Sequence, residues 1–195
     1  NHRPEEQVIS YVESHDQALV GGKTFIFELI DQEIYYNMHI DAQNLVVDRG
    51  LALHKMARLA TLGAAGHGYL NFMGNEFGHP EWIDFPREGN QWSYHHARRQ
   101  WSLRDDPNLK YHYLADFDRA MVGLVREHGV VGREPVVFRL INESDKMIAF
   151  ERGGLVFCFN FHPTQSYTDY AIDVSPGSYR LRLNTDAPGF GGFDL

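Results

Sequence analysis

Residues 8–17 read Val-Ile-Ser-Tyr-Val-Glu-Ser-His-Asp-Gln, and residues 69–78 read Tyr-Leu-Asn-Phe-Met-Gly-Asn-Glu-Phe-Gly. Each begins with a short apolar run, Val8 to Val12 and Tyr69 to Met73, and each breaks into polar and glycine residues, as a strand does when it leaves a sheet into a loop. Between them lies a helix signal. Asp48 offers an N-cap, Ala52, Met56, Leu59 and Gly63 recur at helical spacing, and Gly66 and Gly68 close the run, so the spacing predicts a helix from about Asp48 to Ala65. An aromatic-rich segment, 80–106, then leads to an amphipathic helix with Tyr113, Phe117, Met121 and Leu124 on one face. Two strands joined by a crossover helix are parallel, and parallel sheets are buried and have several strands, more than this stretch supplies. A complete (β/α)8 barrel takes about 250 residues, about twice what precedes Gly132, so the expectation is the last two βα units of a TIM barrel, with six upstream.

After Gly132 the pattern changes to period two. Val136 to Ile141 and Met147 to Arg152 read as strands, Gly153 and Gly154 suit a tight hairpin turn, and Leu155 to Phe161 returns. Tyr170 to Val174 and Tyr179 to Leu183 add two more, joined through Pro176 and Gly177. The expected chain is therefore α+β. Residues 1–131 close an incomplete (β/α)8 barrel, and 132–195 begin an antiparallel β-sandwich.

With 195 residues, 43% of them hydrophobic, the chain can bury a sizeable core. Asp and Glu number 26 against 18 Lys and Arg, and this net charge of −8 argues against nucleic acid or an anionic membrane surface as partner. A neutral polar ligand fits better. Cys158 is the single cysteine, so no disulfide framework is expected, and a reducing, cytoplasmic setting follows. No run approaches the roughly 20 apolar residues of a membrane span, and residues 1–7 lack a signal-peptide core. The missing initial Met and the glycine-rich end at Gly191 and Gly192 predict a piece of a longer protein. Among the 11 histidines no pair has ligand spacing with a third ligand nearby, so neither metal nor cofactor is expected.

In a (β/α)8 barrel the loops at the carboxyl ends of the strands build the active site. His15 and Asp16 follow the first strand, and Asn75 and Glu76 follow the second, so the two loops can converge on one ligand. A carboxylate beside an imidazole suits a sugar, since Asp accepts from vicinal hydroxyls while His donates to one. Such contacts tighten as the ring distorts toward a planar cation. Ser14-His15-Asp16 also reads as a loop cap, its hydroxyl and carboxylate bonding local amides. An indole face packs against a sugar ring, which makes Trp82 a candidate contact, while Trp82, Trp92 and Trp101 equally serve to anchor a long loop. Phe157, Phe159 and Phe161 alternate as the buried face of a sandwich does.

Residues 11–21, Tyr-Val-Glu-Ser-His-Asp-Gln-Ala-Leu-Val-Gly, resemble the fourth conserved region of the α-amylase superfamily in its branching-enzyme form. Asp48, Arg49, Gly50 and Ala52 to Met56 resemble the helix that follows, and the run from Tyr69 to Asn90 is close to a branching-enzyme signature. Phe117 to Met121, Phe150 to Gly153 and Phe159 to Pro163 extend the resemblance into the β unit. It implies a parent that breaks an α-1,4 bond in glycogen, amylose or starch and holds the cut glucan on a carboxylate. The glucan then passes to the 6-hydroxyl of another chain, a retaining double displacement. Asp16 then matches the transition-state-stabilising aspartate and His15 its sugar-binding neighbour, while Glu13, Gln17, Asn75, Glu76 and Trp82 become expected substrate contacts. The nucleophile and general acid belong to upstream motifs that are absent, so the chain alone is expected to be inactive. Retention needs two carboxylates about 5 to 5.5 Å apart, but the resemblance excludes Asp16 with Glu76 as that pair and leaves Glu76 to order its loop. A hydrolase of the same superfamily and a glucan-binding module stay open as alternatives. An uncovered parallel edge also predicts pairing with a second copy.

Overall fold

The structure, a computed structural model, describes residues 6–16, 23–132 and 135–195. Strand β1 (Ile9–Ser10) pairs in parallel with β2 (Gly68–Tyr69), Ile9 opposite Gly68 and Ser10 opposite Tyr69. The ladder continues one bond beyond each end, His67 N to Val8 O at 2.8 Å and Leu70 N to Ser10 O at 2.9 Å. Ile9, Tyr11, Leu70 and Met73 remain exposed around this pair.

Between the strands run α1 (Phe25–Ile30), α2 (Glu33–Tyr36) and α3 (Leu45–Gly63). The cap of α3 is Asn44, not Asp48 as the helical spacing suggested. Asn44 holds an extended backbone, and its Oδ1 accepts from the amides of Val46 at 2.9 Å and Val47 at 3.1 Å, two of the donors that a helix start leaves orphaned. Asp48 lies in the first turn, where its carboxylate takes a 2.9 Å bond from the buried Lys110 ammonium. After β2 come α4 (Trp101–Asp105) and α5 (Tyr111–His128), the latter closed by Gly129 at φ 60°. The buried stripe of α5 includes Leu114, Phe117, Met121 and Val125; Tyr113 and Leu124, expected on it, flank it half-buried.

Strands β3 (Val137–Asn142), β4 (Met147–Arg152) and β5 (Leu155–Asn160) form one antiparallel sheet in that order. Gly153 and Gly154, at φ 59° and 71°, make the β4–β5 turn. No strand forms at 170–174 or 179–183, where two were expected. Bonds involving side chains fasten this segment to the β3–β5 sheet and its β3–β4 turn. The Ser175 amide donates to Glu151 Oε1 at 2.7 Å, and the Tyr170 hydroxyl donates to Asp145 Oδ2 at 2.8 Å. Alternation of apolar residues makes a strand only where a neighbouring edge can pair with it, and here none does.

Ile26, Ile30, Ile34, Val47, Leu51, Phe77, Tyr111 and Leu114 form one core between the helices and the β2 exit. Leu59, Leu62, Phe117, Met121 and Val125 meet Phe150, Phe157 and Phe159 in a second. The sheet therefore packs on α3 and α5. A side chain at Gly63 would start 2.9 Å from the Phe157 ring, so glycine lets helix and sheet close.

Candidate functional site

The β1 exit splits its side chains by environment. Glu13 and Ser14 are buried, while His15 and Asp16 leave 60% and 70% of their side chains exposed. His15 Nε2 lies 3.0 Å from Asp16 Oδ1, a pair open to solvent on its outer side. The Ser14 hydroxyl accepts the Asp16 amide at 3.3 Å, so this loop carries a local cap as well as an exposed carboxylate. Gln17, expected to touch substrate, lies outside the described residues.

The β2 exit is a 3-10 turn, Asn75–Phe77, between Gly74 at φ 92° and Gly78 at φ 70°. Glu76 Oε2 accepts from the Gly74 amide at 2.8 Å and from Asn71 Nδ2 at 2.9 Å, which ties the loop to itself. Asn75 is buried and points the other way, donating to Glu13 Oε2 at 2.8 Å. The same oxygen accepts the Phe25 amide at 2.8 Å. Burial raises the Glu13 carboxyl, and the Phe25 amide, Arg99, Asn75 and Arg58 oppose that rise. The His15 and Phe72 rings are 6.2 Å apart, so the two exits stand side by side.

Beneath them is a buried polar layer with no signal in the sequence. Arg99 donates to Met73 O at 2.6 Å and to Glu81 O, and its guanidinium lies 5.1 Å from the Phe72 ring centre. His79 Nε2 accepts the Gln100 amide at 3.2 Å, and Nδ1 lies 2.8 Å from Glu81 O and 3.2 Å from the Arg99 guanidinium. Burial pushes this imidazole down to about 4, so it is neutral at pH 7. Arg58 bonds Asn71 at 2.8 Å and pairs with Asp118, joining α3, the β2 exit and α5. Buried polar groups follow neither the helical nor the strand period, which is why neither Arg99 nor His79 stood out.

Trp82 lines a cavity of about 360 Å³ with His79, Glu81, Asp84, His95, His96, Arg98 and Gln100. Its indole is partly exposed, and neither His15 nor Asp16 lines that cavity. Trp101 instead packs on Phe77, ring centres 5.2 Å apart, as an anchor would. Among the described residues no group of three or more His, Cys, Asp or Glu side chains gathers as a metal site, and no helix is long and apolar enough to cross a membrane. The arrangement suits a neutral, hydroxyl-rich ligand: one exposed carboxylate with an imidazole beside it, on a junction fixed from below.

Residues 140–195 match the family described as the alpha amylase C-terminal all-beta domain. Over 195 residues the chain is 54% identical to a 1,4-alpha-glucan-branching enzyme of Yarrowia lipolytica, covering 99% of this chain and 28% of that protein. A branching enzyme of Rhizophagus irregularis is 53% identical over 196 residues, 100% of this chain and 29% of its own length. A 1,4-alpha-glucan-branching enzyme of Oryza sativa subsp. japonica, named chloroplastic/amyloplastic, is 51% identical over 98% of this chain and 24% of its own length. The chain thus spans less than a third of each of these relatives.

Proposed function

This chain belongs to the family of the 1,4-alpha-glucan-branching enzymes over the 24 to 29% of those relatives' length that it spans, and on that premise we propose that it works as part of such an enzyme. The parent cleaves α-1,4 links in glycogen or starch and moves the glucan to a 6-hydroxyl, making α-1,6 branches by a retaining double displacement. The observation that carries this reading is identity above 50% along the whole chain, with an exposed His15–Asp16 pair at the exit of a parallel strand.

In this reading residues 1–131 are the closing βα units of the (β/α)8 barrel and 132–195 begin the all-β domain. The parallel pair with its apolar flank uncovered supports that assignment, since parallel sheets are covered on both faces. Asp16 accepts sugar hydroxyls and favours the positive charge that develops on the ring, and His15 donates to a neighbouring hydroxyl. Glu76 keeps the second loop in shape at the cleft, and Trp82 offers a flat face to a glucose further along. The nucleophile and acid come from outside this chain, so the 195 residues alone are inactive. The uncovered edge also lets isolated chains associate. The cytoplasm is the proposed setting, with a plastid as the alternative that the rice relative's name raises.

Linkage analysis of amylose treated with the full-length enzyme tests the reading. New α-1,6 branches at constant reducing ends are expected. A rise in reducing ends without branches would make the parent a hydrolase of the same superfamily, and glucan binding without turnover would make it a binding module.

A further inference from the structure

Glu13 is the carboxylate nearest His15 and Asp16 along the chain, yet it is only 3% exposed and Asn75 only 5%. A carboxylate leaves water only where other donors replace it. Both donors to Glu13 fall on one oxygen, Oε2, from the Phe25 amide and from Asn75 Nδ2, each at 2.8 Å. Those partners belong to the start of α1, just after the His15–Asp16 loop, and to the β2 exit turn. Three segments are therefore fixed to one atom, two residues from His15. Two further bonds brace the same junction: the Thr24 hydroxyl donates to Pro80 O at 2.9 Å in a buried bond, and Arg99 donates to Met73 O at 2.6 Å in a part-buried one. With both hydrogen bonds turned inward, Glu13 and Asn75 present little to a ligand.

We propose that Glu13, held by Asn75 and the Phe25 amide, is a positioning residue that sets His15 and Asp16 against the β2 exit and acts on the reaction only through Asp16. The proposal rests on the branching-enzyme reading and replaces, for these two residues, the substrate contact expected from the sequence. A strut of this kind matters because misplacing a reacting group by about 1 Å costs on the order of 100-fold in rate.

The test is a cycle of variants in the full-length enzyme, read as kcat and KM for branch formation on amylose. Glu13→Ala is expected to lower kcat by about 10- to 100-fold with KM within about threefold, since the interaction lost is made in the transition state. Glu13→Gln recovers most of the rate, because a single amide oxygen can accept both bonds. Glu13→Ala combined with Asp16→Asn is no slower than Asp16→Asn alone, whereas residues that act independently multiply their losses. Multiplying losses, or a Glu13→Ala kcat within about threefold of the parent, would overturn the proposal. If Glu13→Ala fails to fold, Asn75→Ala, which keeps the Phe25 bond, is put through the same cycle, and the same outcomes support or overturn the proposal. An Asp16→Asn enzyme at full rate removes the function reading and this inference together; a slow Asp16→Asn with a normal Glu13→Ala removes only this one.

Discussion

Two buried polar junctions hold this molecule together, and they differ in what they leave facing water. At the exits of β1 and β2, Glu13, Asn75, His79 and Arg99 bond one another's loops, and the adjoining His15 and Asp16 stay exposed. At the end of α3, the Arg152 guanidinium on β4 donates to the carbonyls of Gly63 at 3.1 Å, Ala65, and Gly66 at 3.3 Å. Lys55 likewise donates to the carbonyls of Thr185 at 2.6 Å and Phe190 at 2.7 Å. Those cations cap carbonyls at the helix end and in the last turn, and Gly66 O also accepts the Gly132 amide at 3.2 Å. They tie the sheet and the final segment to α3. The same chemistry thus builds a platform for an exposed pair in one place and a clasp in the other.

The comparison breaks first at Arg152. Arg152→Met removes the donor to three carbonyls at once, two of those bonds buried, and stability should fall by about 3 kcal/mol, read from the urea midpoint. Activity per folded molecule should not change; a loss of kcat in folded protein would make the clasp part of the site. His79 tests the other junction through pH. Its folded value near 4 lies below the ordinary 6.5, so between those values the unfolded chain takes up a proton that the folded chain refuses. Stability due to His79 is therefore full above pH 6.5 and is lost as pH falls toward 4, by up to about 2 to 3 kcal/mol. His79→Asn should flatten that slope, and an unchanged slope in urea titrations at pH 4 to 7 would contradict the burial argument. The smallest effect is at the other end of α3. Asn44→Ala should cost about 1 kcal/mol as a lost N-cap, with kcat untouched. If Asp48→Ala cost more and Asn44→Ala nothing, the cap would be misassigned.

What the sequence disclosed depends on periodicity. The two strand exits, the parallel pairing of the runs at Val8 and Tyr69, and the hairpin at Gly153 and Gly154 all follow from apolar spacing broken by glycine or polar residues. The strands expected at Tyr170 and Tyr179 alternate correctly, but pairing depends on a neighbour that spacing cannot reveal. Asp48 and Asn44 are both good caps by type, and only the backbone angle at Asn44 decides between them. For the candidate site, His15 and Asp16 were readable as a polar pair after a strand. Arg99 and His79 were not, because a buried cation or imidazole is defined by its partners rather than by its position in a repeat.

The central claim is that the exposed pair belongs to catalysis and its buried neighbours to support. Kinetics of Asp16→Asn in the full-length enzyme test it most directly. Replacing the carboxylate by an amide removes an anion that favours the developing cation, a loss of roughly 3 to 4 kcal/mol, or about 10²- to 10³-fold in rate. Since the side chain is exposed, the melting temperature should stay where it is. The account predicts a folded enzyme with branching slowed by that factor; a folded Asp16→Asn enzyme within about tenfold of the parent rate would contradict it.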